Sequence, residues 1–85
     1  MKRFWFKFSN ARRYSRLALG CGITAYDEGD AMWILKDQVF KAVGESPAVE
    51  EIVKDVDIRD LDQKHVVPNM NPPNWRGVWF PKGFQ

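Results

Sequence analysis

The spacing of apolar residues changes period once, inside the stretch Leu17 to Gly44, and that change organises the chain. Leu17, Leu19, Cys21, Ile23 and Ala25 share one parity, and Ala18, Gly20, Gly22, Thr24 and Tyr26 share the other. This is the alternation of a strand, 17–26, with one apolar face. Gly20 and Gly22 leave the other face nearly bare, which marks a bulge, a bend or a close approach by another part of the chain. From Asp27 the period becomes helical. Asp27 is a suitable N-cap, Glu28 and Asp30 place negative charge at the positive end of the helix dipole, and Gly44 closes the segment. Over 28–43, at about 100° per residue, Ala31, Met32, Ile34, Leu35, Val39, Ala42 and Val43 form one broad face suited to lying on a sheet. Trp33 and Phe40 fall on the far side. The simplest cover for them is the aromatic C-terminal tail of the same chain, and the alternative is a docking partner.

The rest of the chain supplies the sheet. Phe4, Phe6 and Phe8 alternate with Trp5 and Lys7, which predicts a strand over 3–8 with a phenylalanine face inward and Trp5 outward. The arginine-rich residues 9–15 form a loop to the next strand, its antiparallel neighbour. Residues 47–58 fit both periods. Ser46-Pro47 starts a helix well, whereas the β-branched run Ile52 to Ile58 suits a strand. A helical turn at 47–51 followed by a strand at 52–58 is the assignment adopted. Residues 57–64 are polar and turn-forming, and Val66-Val67 returns to the core. The proline- and asparagine-rich segment 68–74 is a loop, and 75–80 is a last strand stopped by Pro81. The expected fold is one α+β domain spanning 1–85: a three- to four-stranded, mainly antiparallel sheet with one helix on one face, in the order β-β-α-β-β.

Composition narrows the class. A chain of 85 residues, 45% hydrophobic and 28% charged, is a folded globular domain with one modest core. The single cysteine, Cys21, lies on the apolar parity, so a buried thiol in a reducing compartment is expected, and with it a cytoplasmic location. Too few apolar residues separate Arg16 from Cys21 to form the core of a signal peptide, and no apolar run reaches the length of a membrane span. The net charge of +2 conceals an asymmetry: residues 1–26 carry six basic and no acidic side chains, and all eleven acids lie between Asp27 and Asp62.

Chemistry-bearing patterns are sparse. A Cys21–His65 pair would require the cysteine to leave its apolar face. Asp57, Asp60, Asp62 and His65 lack the spacing of an EF-hand, and Asp62-Gln63-Lys64 is a short nuclease-like tripeptide without a supporting strand pair. A non-enzymatic chain with no cofactor and no metal is therefore expected. Two binding chemistries remain. Trp33, Phe40, Trp75, Arg76 and Trp79 are the residue types that anchor protein interfaces. Lys2, Lys7, Arg12, Arg13, Tyr14 and Arg16 combine phosphate-neutralising charge with a ring on which an unpaired base can stack.

The segments LGCGITAYDEGDA, DVDIRDLDQKHVVPNM and PNWRGVWFP resemble a family of small uncharacterised bacterial proteins. The resemblance covers most of the chain and implies one bacterial single-domain design, but it brings no activity, cofactor or site. The reading is a non-catalytic module that binds an unidentified protein partner, with nucleic acid as the alternative, no membrane, and a homodimer left open.

Overall fold

The computed structural model describes residues 1–10 and 17–84. Four strands, β1 (Lys2–Phe8), β2 (Cys21–Ala25), β3 (Val49–Lys54) and β4 (Gly77–Phe80), form one sheet in the order β3-β1-β2-β4. Every neighbouring pair is antiparallel. Among the described residues one long helix, over 28–43, lies against one face, and the fold is the expected β-β-α-β-β arrangement. No helix among the described residues is long and apolar enough to cross a membrane.

Alternation in β1 determines what each face of the sheet buries. Phe4, Phe6 and Phe8 point toward the helix and meet Cys21, Ile23, Ala31, Ile34, Leu35 and Val39 in the main core. Trp5 points the other way, as its parity requires, yet it is buried. The far face carries a second core, in which Trp5, Val56, Val66, Trp79 and Phe80 pack together with Val53, Ile58, Leu61 and Met70. Non-strand chain between β3 and β4 supplies much of this cover. It is fastened by the Thr24 hydroxyl donating to the Pro73 carbonyl at 2.7 Å, by Arg3 Nε donating to the Val56 carbonyl at 3.1 Å, and by Asn71 N–H donating to the Trp79 carbonyl at 2.8 Å.

Gly22 in β2 and Gly20 just before it make this layer possible. A Cβ on Gly22 would stand 2.4 Å from the Trp79 ring, and one on Gly20 would stand 2.7 Å from both the Trp5 ring and the Phe6 carbonyl oxygen. The bare face of β2 is thus a bed for two indoles, whose ring centroids lie 5.9 Å apart.

The helix starts as its sequence requires. Asp27 Oδ1 accepts the Asp30 N–H at 2.8 Å, Asp30 Oδ2 accepts the Tyr26 N–H at 3.0 Å, and Gly44 ends the helix in the left-handed conformation. Its middle departs from the α period: Leu35–Phe40 is π-helical between the α-helical Glu28–Ile34 and Lys41–Val43. A π-turn adds a residue, which turns the following side chains back by about 100° relative to an unbroken α-helix. Phe40 therefore enters the core, packing 6.0 Å from Phe8, while Ala42, expected inside, is exposed. Phe84, from the C-terminal tail, is buried in the same main core as Phe40, whereas Trp33 stays 55% exposed.

Other boundaries also differ from expectation, and the strand expected over 52–58 ends at Lys54, with Asp55 at positive φ and Ile58–Asp60 in a 3-10 turn. Leu17 to Gly20 is a turn closed by Gly20 N–H on the Leu17 carbonyl, so Leu19 is exposed rather than inward. Residues 49–51 are strand, not helical turn, because Val49 pairs with Phe8 and Glu51 with Lys7. β4 begins at Gly77, leaving Trp75 in the preceding loop.

Candidate interaction surface

Four residues from three segments, Tyr26, Asp30, Trp33 and Arg76, meet where the helix N-terminus passes the chain entering β4. Asp30 is held in place by its part in the helix cap. Its two carboxylate oxygens accept both prongs of the Arg76 guanidinium, with Nε at 2.9 Å and the terminal nitrogen at 2.5 Å. Two-pronged pairing of this kind fixes a guanidinium in orientation as well as position. The Arg76 carbon lies 5.7 Å from the centre of the Tyr26 ring and 5.9 Å from that of Trp33, within cation–π range of both.

Electrostatics at the pair are mutual. The hydrogen bonds from Arg76, and then that from the Tyr26 N–H, hold the Asp30 carboxyl below the usual carboxylate range, and Asp30 in turn raises the pKa of Arg76. The pair is close to neutral as a unit. Around it the large rings stay in solvent: Tyr26 is 68%, Trp33 55% and Trp75 76% exposed. A hollow of about 310 Å³ adjoins the patch, bordered by Gln38, Asn71, Trp75 and Arg76. The surface is therefore a rigid cation bracketed by exposed aromatic rings, able to bury apolar area and to offer guanidinium and indole N–H donors.

Of the residues expected to form a protein interface, Trp33, Trp75 and Arg76 are on this surface. Phe40 and Trp79 are not: Phe40 is in the main core, and Trp79, 1% exposed, is in the second core. Trp79 alternates with Val78 as parity requires, Val78 entering the main core and Trp79 the second, whereas Trp75 precedes β4; the β2–β4 register shifts between Gly22 and Ile23. Gly22 opposes Phe80 and Ile23 opposes Val78, so Trp79 is the extra residue of a bulge, and Phe80 shares its face. Tyr26 and Asp30 belong to the site although sequence reasoning assigned them elsewhere. Tyr26 lies on the polar parity just past the strand end, and that was the available signal.

The basic candidates are less gathered. Lys2 is exposed at the start of β1, and Lys7 forms an ion pair with Glu51 at 3.2 Å across the β1–β3 ladder. Arg12, Arg13, Tyr14 and Arg16 lie outside the described residues. The residues considered for catalysis have local partners. Asp62 Oδ1 accepts the backbone N–H groups of Lys64 and His65 at 2.8 and 3.0 Å, and its Oδ2 is 3.0 Å from His65 Nδ1. The carboxylate is thereby occupied as a turn cap. Asp57 is clasped by Arg59, whose hydrogen bonds bring its pKa down to about 2. Cys21 is fully buried, which pushes its thiol pKa far above the ordinary value. No three His, Cys, Asp or Glu side chains among the described residues are grouped so as to hold a metal ion.

No family model, no curated protein and no solved structure matches the chain.

Proposed function

We propose that this chain is a non-catalytic binding module, a small bacterial cytoplasmic protein whose partner is another protein docking on Tyr26, Trp33, Trp75 and Arg76. The observation that carries the reading is the exposure of two large rings, Tyr26 and Trp33, around a guanidinium already oriented by Asp30, with Trp75 exposed beside Arg76 in the chain. Binding hot spots are enriched in Trp, Tyr and Arg because such side chains bury much area and lose little rotamer freedom when held rigid beforehand. The same rings could stack on unpaired bases. The Asp30–Arg76 pair, however, leaves little net positive charge at this place, and a polyanion gains most of its affinity from uncompensated cations.

The test is a paired pull-down from bacterial lysate with the wild-type protein, Trp33→Ala, and Trp75→Ala, washed at low and high salt. A protein retained by the wild type at high salt and lost from both variants supports the reading. Retention of the same proteins by all three refutes it. Nucleic acid held only at low salt, and released by Arg12→Glu with Arg13→Glu, transfers the function to the basic N-terminal segment.

A further inference from the structure

A second hollow, of about 520 Å³, lies on the face of the sheet away from the helix and shares no residue with the surface around Arg76. Its floor is apolar: Trp5 from β1, Val53 from β3, and Val56, Leu61 and Val66 from the chain that follows β3. Leu19 completes the wall, and at 49% exposed it is one of the few large apolar side chains left in solvent. Hollows that take small organic ligands are of this kind, about 300–1,000 Å³ and largely apolar, with a few polar groups that set orientation.

Charge in the lining is unbalanced in one direction. Two lysines and four aspartates border the hollow. Both lysines are matched by carboxylates outside it, Lys7 by Glu51 and Lys54 by Glu28, each at 3.2 Å. Asp57 is clasped by Arg59, and Asp62 caps the turn that carries His65. The side chains of Asp55 and Asp60 are exposed and have neither hydrogen bond nor ion pair among the described residues. With the two lysines neutralised from outside, these carboxylates leave the lining negatively charged beside an apolar floor.

We propose that this hollow binds a small organic cation: an ammonium group held by Asp55 and Asp60, carried on an aromatic body that lies against Trp5, Val53, Val56 and Leu61. Neither half suffices alone. An exposed carboxylate holds an amine weakly in water because solvent screens the pair, whereas a body seated on the apolar floor buries area and displaces water from around the charges. An anion of the same shape would meet like charges. A neutral body would gain the burial without the charge-assisted hydrogen bonds.

Titration of the full chain at neutral pH with three probes of one shape, tryptamine, indole-3-acetamide and indole-3-acetate, followed by methyl and amide NMR, tests the proposal. Tryptamine should shift the signals of Leu19, Val53, Val56 and Leu61 saturably. The neutral amide should bind about tenfold more weakly, the ratio that one charge-assisted contact confers, and the acetate more weakly still. Asp55→Asn with Asp60→Asn should erase the preference for the amine over the amide with an unchanged circular dichroism spectrum; asparagine suits position 55, where φ is 54°. Leu61→Ala should weaken amine and amide alike. The absence of any saturable shift with tryptamine up to millimolar concentration overturns the proposal. So do equal affinities for the three probes, a preference for the amine that survives the double substitution, or shifts confined to Tyr26, Trp33 and Trp75.

Discussion

Replacing Gly22 by alanine tests the second core most directly. The added Cβ would lie 2.4, 2.5 and 2.6 Å from three carbons of the Trp79 ring. Ordinary carbon–carbon contact is about 3.5–4.0 Å, so the indole must withdraw by about 1 Å. It has little room to do so, being 1% exposed and packed against the Trp5 ring. Overpacking of this kind costs roughly 1–3 kcal/mol, and alanine recovers up to about 1 kcal/mol of chain entropy relative to glycine. Three close contacts on a confined ring place the net loss near 2 kcal/mol. A domain of this size has about 4–13 kcal/mol of stability, so the variant stays folded and measurable. Urea unfolding followed by circular dichroism at constant slope gives the loss directly. A double-mutant cycle with Trp79→Leu isolates the cause: the smaller side chain vacates the space that the methyl needs, so the double variant should be at least about 1 kcal/mol more stable than additivity predicts. Additivity within about 0.5 kcal/mol, or a Gly22→Ala protein as stable as wild type, would refute the packing argument.

Two further outcomes follow from the helix phase and the acid groups. Trp33→Ala should change stability by no more than about 0.5 kcal/mol, whereas Phe40→Ala should cost about 3–5 kcal/mol; equal losses in urea unfolding would contradict the rotation attributed to the π segment. The carboxyls of Asp30, Asp57 and Asp62 all titrate below the ordinary value of 3.8 in the folded chain, Asp57 near 2. Their contribution is complete above the unfolded pKa and is lost as pH falls through the folded values, so the urea midpoint should drop between about pH 4 and pH 2. Asp57→Asn should flatten that drop, and a midpoint constant from about pH 5 to pH 2 would contradict the assignment.

About half of the candidate surface was legible. Trp33 falls on the outer face of the first α-helical turns, before the π segment begins, so its exposure follows from spacing alone. Phe40 comes at the end of the π segment, and a period read at a fixed 100° per residue misplaces it. Arg76 is recognisable as an interface residue type, but its partner Asp30 lies 46 positions away and reads locally as a helix-capping acid. No local pattern could join the two. Trp75 and Trp79 share a parity in the sequence, yet one lies in a loop and the other is the extra residue of a bulge whose register depends on β2.

What the sequence determined by itself is what short-range physics controls. The two strand alternations, the Asp27 cap and the stop at Gly44 each depend on neighbours a few residues away, and together they indicate the α+β class; the bare Gly20 and Gly22 marked a special place without saying which distant ring would fill it. Tertiary structure alone decided that the sheet is covered on both faces. The segment after β3 carries Val56, Ile58, Leu61 and Val66 at no regular period, and their burial arises only once Trp5, Trp79 and Phe80 present a surface to cover. It also decided which aromatic rings remain in water. That depends on an extra residue in the helix and on where β4 begins, each a packing compromise among distant segments that leaves no periodic trace in the chain.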